Sequence, residues 1–552
     1  MQARAAAATP LRNPLAATIA ALLLMLFQGT TARLGIDYGS HWDEHFLQSI
    51  LAESVTELDA WPRKYFYGSL YAGMGYLALA PDWIGALPQL IENARTAGQY
   101  HGRLEPNAEM QKIQQTLRER IYEPAFLIRA RSLFALAASL GVLALFLAGS
   151  RLGSRPGSGV AAAAVLALSW EFNTHSRHIA IDATLVALVA GFLALLARFL
   201  APSPRDQAPR RSLYLAAALC GLATGAKFHA VLLLVPLIGA IFARADRAHL
   251  GRALKQAALC SGIAVIAVLA VNPGLLLDTV QVANDWGYTT RDYWRDSNPM
   301  YDTYKSVEPL QHLREASLYV ITAALSPRPW LGLMLSGVAV LGFVSSWKRD
   351  WRATLAIGAF VPLYLLVVSR SGLIIARNYL PVLPVVAIFV MWGIEALLRG
   401  GGGIRALALG LCVLWTGINA THIVSAALTV GRPHDPSSLV REVRDYVQQH
   451  AEESFVVSPR LTSLALAERI PFRELPNARS DAAVPFDHFV YLASEYAGRV
   501  PGAPRLGYYQ EVFGSREVNY DYYPDWVGRG LEQRAYVIDG DMARRLLEAN
   551  PR

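Results

Sequence analysis

The sequence predicts a mainly α fold: a polytopic membrane bundle of about eleven transmembrane helices, followed by a small C-terminal α/β domain. Three observations lead there. Hydrophobic residues make up 53% of the 552 and charged residues only 17%, with a mean hydropathy of +0.27, outside the range of ordinary soluble domains. Apolar runs close to the roughly 20 residues needed to cross about 30 Å of hydrocarbon recur along most of the chain. Beyond about residue 433 those runs shrink to strand length.

The runs lie near 13–32, 126–148, 159–174, 182–200, 212–226, 228–243, 256–277, 330–347, 353–369, 379–398 and 404–425, those near 159 and 212 being short. Two further apolar stretches, within 64–90 and 309–325, read as spans or as interfacial helices. The tail alternates helix and short strand, with helical 439–450 and 541–547 flanking Ser454-Phe455-Val456-Val457 and His488-Phe489-Val490-Tyr491-Leu492. We expect a membrane unit over 1–430, with a large first outer loop at 33–123, and a separate domain over 431–552.

Lys and Arg collect in every second connection: Arg4 and Arg12, Arg151 and Arg155, Arg205 to Arg211, Arg244 to Lys255, Lys348 to Arg352, and Arg399 with Arg405. Short loops so charged stay in the cytoplasm. The remaining loops and the tail are therefore expected outside, and the Ala- and Arg-rich composition points to a bacterial inner membrane with the tail in the periplasm. The formal charge of +8 is absorbed by the cytoplasmic loops, which argues against nucleic-acid binding. Cys220, Cys260 and Cys412 all sit in apolar runs without metal-like spacing. The first apolar segment has no small-residue cleavage site before the acids that follow, so it reads as a retained span.

Polar residues punctuate the predicted outer ends of the spans. In Gly39-Ser40-His41-Trp42-Asp43-Glu44-His45 two acids stand at a membrane surface, where ionisable groups are costly to desolvate. Phe46, Leu47, Ile50 and Leu51 then recur at helical spacing opposite Gln48, Glu53 and Glu57, the pattern of an amphipathic helix lying on the membrane. Asp43 as a plain helix cap is the structural alternative. A second cluster, Asn173-Thr174-His175-Ser176-Arg177-His178-Ile179-Ala180-Ile181-Asp182, sets an acid beside two imidazoles and a guanidinium; contact of its basic groups with lipid phosphates is the alternative there. The small-residue stretch Gly221-Leu222-Ala223-Thr224-Gly225-Ala226 ends in Lys227, a cation suited to a phosphate or one snorkelling to the interface. Arg377, in Ala376-Arg377-Asn378-Tyr379-Leu380-Pro381, carries a guanidinium fork to the mouth of a Pro-bearing span.

Two acidic sites and several cations on one membrane face are what transfer of a sugar from a lipid phosphate requires: a carboxylate to take a proton, cations to stabilise the departing phosphate. The order Trp42-Asp43-Glu44, Arg129-Ala130-Arg131-Ser132-Leu133, His175-Ser176-Arg177 with Asp182, the glycine stretch ending at Lys227, and Arg377-Asn378-Tyr379-Leu380-Pro381 resembles the GT-C glycosyltransferases. Within them it is most similar to the family 39 type, with its protein O-mannosyltransferases and lipid A aminoarabinose transferases, over roughly residues 10–430.

The resemblance implies an inverting hexosyl or pentosyl transfer from a polyprenyl-phosphate sugar to a glycan, lipid or protein acceptor on the extracytoplasmic face. By position, Asp43 would be the general base, Glu44 would support it or help hold a divalent metal (Mg or Mn), and Asp182 would be the second acid. Lys227 and Arg377 would face the lipid phosphate, assisted by Arg177 and His178. The aminoarabinose type carries a Lys-Pro-Pro where this chain reads Trp61-Pro62-Arg63-Lys64-Tyr65, so only Lys64 matches there. A polar stretch near 91–123 either shapes acceptor choice or is a bystander helix. The alternatives from other classes are a transporter or lipid flippase, which would hold its charges on broken helices near the midplane, and a non-catalytic assembly subunit. The tail aromatics, Tyr508-Tyr509 and Tyr520 to Trp526, read as domain core or as a carbohydrate- or protein-binding surface.

Overall fold

The computed structural model describes residues 13–34, 36, 42–57, 65, 68–96, 99–100, 103–104, 108–201, 208–294, 308–371 and 375–429. In the tail it describes 443, 445–457, 478–479, 486–492, 505–509 and 533–549. Lys64 and Tyr520 to Trp526 lie outside the described residues.

The helices are α1 (Pro14–Arg33), α2 (Trp42–Glu57), α3 (Ser69–Thr96), α4 (Ala108–Ile121), α5 (Pro124–Leu152), α6 (Pro156–Ala167), α7 (Trp170–Ser176), α8 (Ile181–Leu200) and α9 (Ala208–Ala226). They continue as α10 (Leu234–Arg244), α11 (Leu250–Val271), α12 (Gly274–Leu277), α13 (Thr279–Trp294), α14 (Pro309–Ile321), α15 (Pro329–Gly358), α16 (Phe360–Val368), α17 (Leu383–Leu398) and α18 (Gly402–Thr429). Short 3-10 helices, Phe228–Leu233 and Ala376–Val382, lead into α10 and α17. Proline in the first turn opens α1, α5, α6, α14, α15 and α17, where its fixed φ suits the helix and its missing N–H leaves no orphan.

The apolar runs read from the sequence fall mainly on helix, those near 159–174 and 256–277 being broken at Leu168–Ser169 and Asn272–Pro273, and seven stretches among the described residues are long and apolar enough to cross a membrane. One of them, Pro329–Val368, carries non-helical backbone at Asp350, which divides the runs expected near 330–347 and 353–369. Of the two stretches left open, the first forms α3 and the second α14.

The core joins α5 to α6 and α8, α8 to α9, α9 to α11, and α15 to α17. Where α15 crosses α17, a Cβ on Gly342 would collide with the Phe389 carbonyl oxygen, so the backbones touch through a small residue as membrane helices commonly do. Gly221, at the start of the glycine stretch, plays the same part against the Ala264 carbonyl of α11.

The amphipathic α2 differs from its reading as a helix resting on lipid. Leu47 and Leu51 pack with Tyr71, Leu79, Phe126 and Phe134 of α3 and α5. Gln48, expected on the polar side, is buried and donates to the Ile121 carbonyl at 2.6 Å. The cause is α4, which covers the side left to water in the sequence reading, and whose last carbonyls need donors.

In the tail, β3 (Phe455–Val457), β4 (Ala478–Arg479), β5 (His488–Leu492), β6 (Arg505–Tyr509) and β7 (Gln533–Asp539) form a mixed sheet, two-residue β1 (Gln99–Tyr100) and β2 (Arg103–Leu104) forming a separate hairpin upstream. The order is β4-β3-β5-β7-β6, with β3 parallel to β4 and β5, and β7 antiparallel to β5 and β6. Helix α19 (Gly540–Ala549) follows β7 and packs on the sheet. Tyr508 and Tyr509 lie in β6 at one sheet edge.

Candidate active site

Charged side chains from five segments meet at one end of the bundle. Asp43 and Glu44 stand in the first turn of α2, Asp182 in the first turn of α8, Lys227 just past α9, and Arg377 in the turn before α17. Arg131 comes from α5, within its first three turns. Helix ends converge here because α2, α5 and α8 begin, α9 ends and the turn before α17 stands at this level.

Arg377 spans two acids. Its Nη2 lies 3.1 Å from Asp43 Oδ1 and its Nε 3.3 Å from Asp182 Oδ2. Lys227 Nζ donates to Asp182 Oδ1 and to Asn378 Oδ1, each at 2.7 Å. Asp43, Asp182 and Arg377 are buried and Lys227 nearly so, its side chain 13% exposed. The Tyr71 hydroxyl donates to the Asp43 carbonyl, anchoring α2 on α3. Opposite charges at this separation and depth interact far more strongly than at a wet surface. Lys227 is thus a paired cation in this arrangement, and Asp43 sits inside the first turn of α2.

Glu44 faces a different partner. Arg131 donates from Nε and Nη2 to its two oxygens at 2.7 and 2.6 Å, and from Nη1 to the Ile36 carbonyl at 2.7 Å. The Ile179 amide donates to Glu44 Oε1 at 3.0 Å. Burial alone would raise the Glu44 carboxyl, but the Arg131 guanidinium beside it, helped by His178, holds it well below the usual carboxylate range. His178 Nδ1 stands 3.7 Å from Glu44 Oε1. Burial pushes this imidazole down to about 4 against the pull of Glu44, so at neutral pH it is uncharged and Arg131 is the counter-ion. Arg177, lowered to about 10 by burial and by nearby Arg131, reaches the Thr31 carbonyl of α1 at 3.3 Å.

The structure therefore sorts the sequence-predicted residues into two groups. Asp43, Asp182, Lys227 and Arg377 form one connected network; Glu44, Arg177 and His178 gather around Arg131. Asp43 and Glu44, adjacent in sequence, face separate guanidinium groups. A bidentate arginine and an amide occupy the lone pairs Glu44 would offer a cation, and no set of three His, Cys, Asp or Glu suited to a metal occurs among the described residues. The donors present do not fit the Mg or Mn site considered from the sequence, and no step below runs through a metal.

Several participants went unread. Arg131 and Asn378 lie within motifs without standing out in them, although an arginine set in an apolar run cannot stay buried unpaired. Glu171 is buried, with His175 Nε2 3.5 Å from its Oε2. His312 stands between the Ser371 carbonyl, 2.7 Å from Nδ1, and the Tyr379 hydroxyl, and burial lowers its pKa. Glu171 and His312 both stand inside apolar stretches, at 159–174 and 309–325, and so carry the same signal as Arg131.

Residues 127–274 match the family model of dolichyl-phosphate-mannose-protein mannosyltransferases. Along nearly its whole length the chain is similar to the crystal structure of ArnT from Cupriavidus metallidurans in the apo state: TM-score 0.51, 13% identity, 95% of this chain and 97% of that one. The fold is the GT-C glycosyltransferase fold. Structures of that ArnT bound to undecaprenyl phosphate (TM-score 0.47, 14% identity, 95% and 97% covered) and of the Archaeoglobus fulgidus oligosaccharyltransferase AglB with an inhibitory peptide and a dolichol-phosphate (0.47, 12%, 86% and 69%) are also similar. No curated protein sequence matches the chain. Within the GT-C fold, the matched segment runs from α5 through α11 and so holds Arg131, Asp182 and Lys227 of the site.

Proposed function

We propose that the protein is a membrane glycosyltransferase that moves a sugar from a polyprenyl-phosphate donor to an acceptor hydroxyl, with inversion, at the extracytoplasmic face of a bacterial inner membrane. The observation that carries this reading is Arg377 bridging Asp43 and Asp182, with Lys227 on the second acid. A proton acceptor and two cations then lie within one buried site at the helix ends.

The acceptor oxygen attacks the anomeric carbon from the face opposite the phosphate, the bond from that carbon to the phosphate oxygen breaks, and the polyprenyl phosphate leaves with the electron pair. Asp43 takes the hydroxyl proton. The donor phosphodiester carries one negative charge and the leaving phosphate two, so Arg377 and Lys227 stabilise the transition state more than the bound donor, which is the condition for a rate gain. A phosphate also competes with Asp43 for the Arg377 fork.

Glu44 has a positioning role in this reading: clamped by Arg131 and the Ile179 amide, it fixes the first turn of α2 and with it the neighbouring Asp43. The membrane unit over 1–430 carries the chemistry, and residues 431–552 form a separate extracytoplasmic domain. A transporter would place its charges at the bundle midplane; here Asp182 and Arg377 each stand in the opening turn of their element.

The test is release of free polyprenyl phosphate from a panel of lipid-linked hexoses and pentoses, with crude envelope as acceptor. Release by the wild type and none by Asp43→Asn supports the assignment and names the donor. Equal release by Asp43→Asn removes Asp43 as the base, and absence of release from every donor by folded protein removes the transferase reading.

A further inference from the structure

At the end of the bundle opposite the acidic–basic site, α6, α15, α17 and α18 enclose a cleft of about 630 Å³. The two sites are well separated: from Arg131 to the end of α5 at Leu152 is about 32 Å of helix. We propose that this cleft is a binding site for one anionic glycerophospholipid of the adjoining leaflet, phosphate at its mouth and an acyl chain within. The inference is independent of the transferase reading.

The mouth carries Arg155, Arg399 and Arg405 against one acid, Glu395. That acid is engaged: its Oε1 accepts from the Ser154 amide at 2.7 Å and from the Ser154 and Ser158 hydroxyls, while Arg399 lies 3.5 Å from its Oε2. Arg405 Nε donates to the Leu398 carbonyl at 3.2 Å, which consumes no charge. Three guanidinium groups thus face one carboxylate, a surplus of positive charge, and the Arg399 side chain is 55% exposed, within reach of a headgroup.

Behind the mouth the walls turn apolar, through Ala164, Leu335, Val338, Met391, Cys412 and Trp415. Arg405 and Trp415 are ten residues apart on α18, about 15 Å of helix, or half of the roughly 30 Å hydrocarbon thickness. A cleft with cations and the two serines at its mouth and one leaflet's depth of wall in which Thr416 is the polar side chain suits an acyl chain under a phosphate better than a soluble phosphate compound. It exists because α18 leans on α17, α1 and α7 along one face only, its Leu407, Leu409, Val413 and Leu414 remaining exposed.

The experiment is native mass spectrometry of the full-length protein in a nonionic detergent, titrated with phosphatidylglycerol, phosphatidylcholine of matched chains, or undecaprenyl phosphate. Phosphatidylglycerol should be retained in preference to phosphatidylcholine, and Arg399→Gln/Arg405→Gln, which removes two basic residues near the headgroup, should lower that retention about thirtyfold. Cys412→Trp, which fills the apolar wall and keeps the charges, should lower it as well, and serves if the double variant does not fold. Equal retention of the two phospholipids, or phosphatidylglycerol retention unchanged in either folded variant, would overturn the proposal. Preferential retention of undecaprenyl phosphate, lost in the same variants, would overturn it in favour of a polyprenyl phosphate occupant.

Discussion

Arg377 Nη2 and Asp43 Oδ1 lie 3.1 Å apart although 334 positions separate them in the chain. The pair joins the first helix after the opening span to the turn before α17, so the beginning and end of the bundle meet in one ion pair. Because Arg377 also holds Asp182, neutralising either acid leaves the guanidinium with a remaining partner.

Asp43→Asn should therefore fold and melt close to wild type, since Arg377 retains Asp182, while turnover falls by about 10²–10⁴-fold, the contribution of a general base. Thermal unfolding measured beside polyprenyl-phosphate release checks the two halves of this expectation. Lost stability equal to the lost activity would make Asp43 a structural residue.

Arg131→Met should behave in the opposite way. It strands the Glu44 carboxylate, only 3% exposed, without its counter-ion, and removing one partner of a buried pair costs about 3–5 kcal/mol. The double change Arg131→Met/Glu44→Leu should recover much of that loss in a thermal melt.

Lys227→Met with Arg377→Met should weaken donor binding and slow the step that releases phosphate, whereas Arg377→Lys should restore little. A lysine offers a single point of charge where Arg377 places Nε and Nη2 on different acids. Donor affinity measured separately from turnover distinguishes the effects.

Stability should fall as pH drops from about 6.5 toward 4, and His178 supplies part of the slope. Its folded pKa is depressed to about 4 from 6.5, so within that window the unfolded chain binds more protons and stability rises with pH. Glu44, also depressed, contributes stability that is present above the unfolded carboxylate value and is lost as pH falls through its lower folded value. In His178→Gln the slope between pH 6.5 and 4 should flatten, read from melting temperatures across that range.

The helical architecture was legible because its signal is local. The apolar runs, from residues 13–32 to 404–425, fall mainly on helix, with breaks inside those near 159–174 and 256–277, and the stretches near 64–90 and 309–325 form α3 and α14. The amphipathic pattern of α2 located its inward face through Leu47 and Leu51, yet Gln48 turned out buried as well. No property of the 42–57 segment announces that α4 will lie over it.

Composition, hydropathy and the placement of polar residues at span ends are properties of the chain itself, and they determined the membrane bundle, the mixed helix-and-strand tail and the short roster of charged groups worth weighing. Tertiary structure alone decided the partners: Arg377 for Asp43 and Asp182, Arg131 for Glu44, Asn378 for Lys227. Helix formation and hydrophobic burial follow from neighbours within a few residues. The energy of an ion pair depends instead on separation and local dielectric, which exist only once segments distant in sequence have packed together.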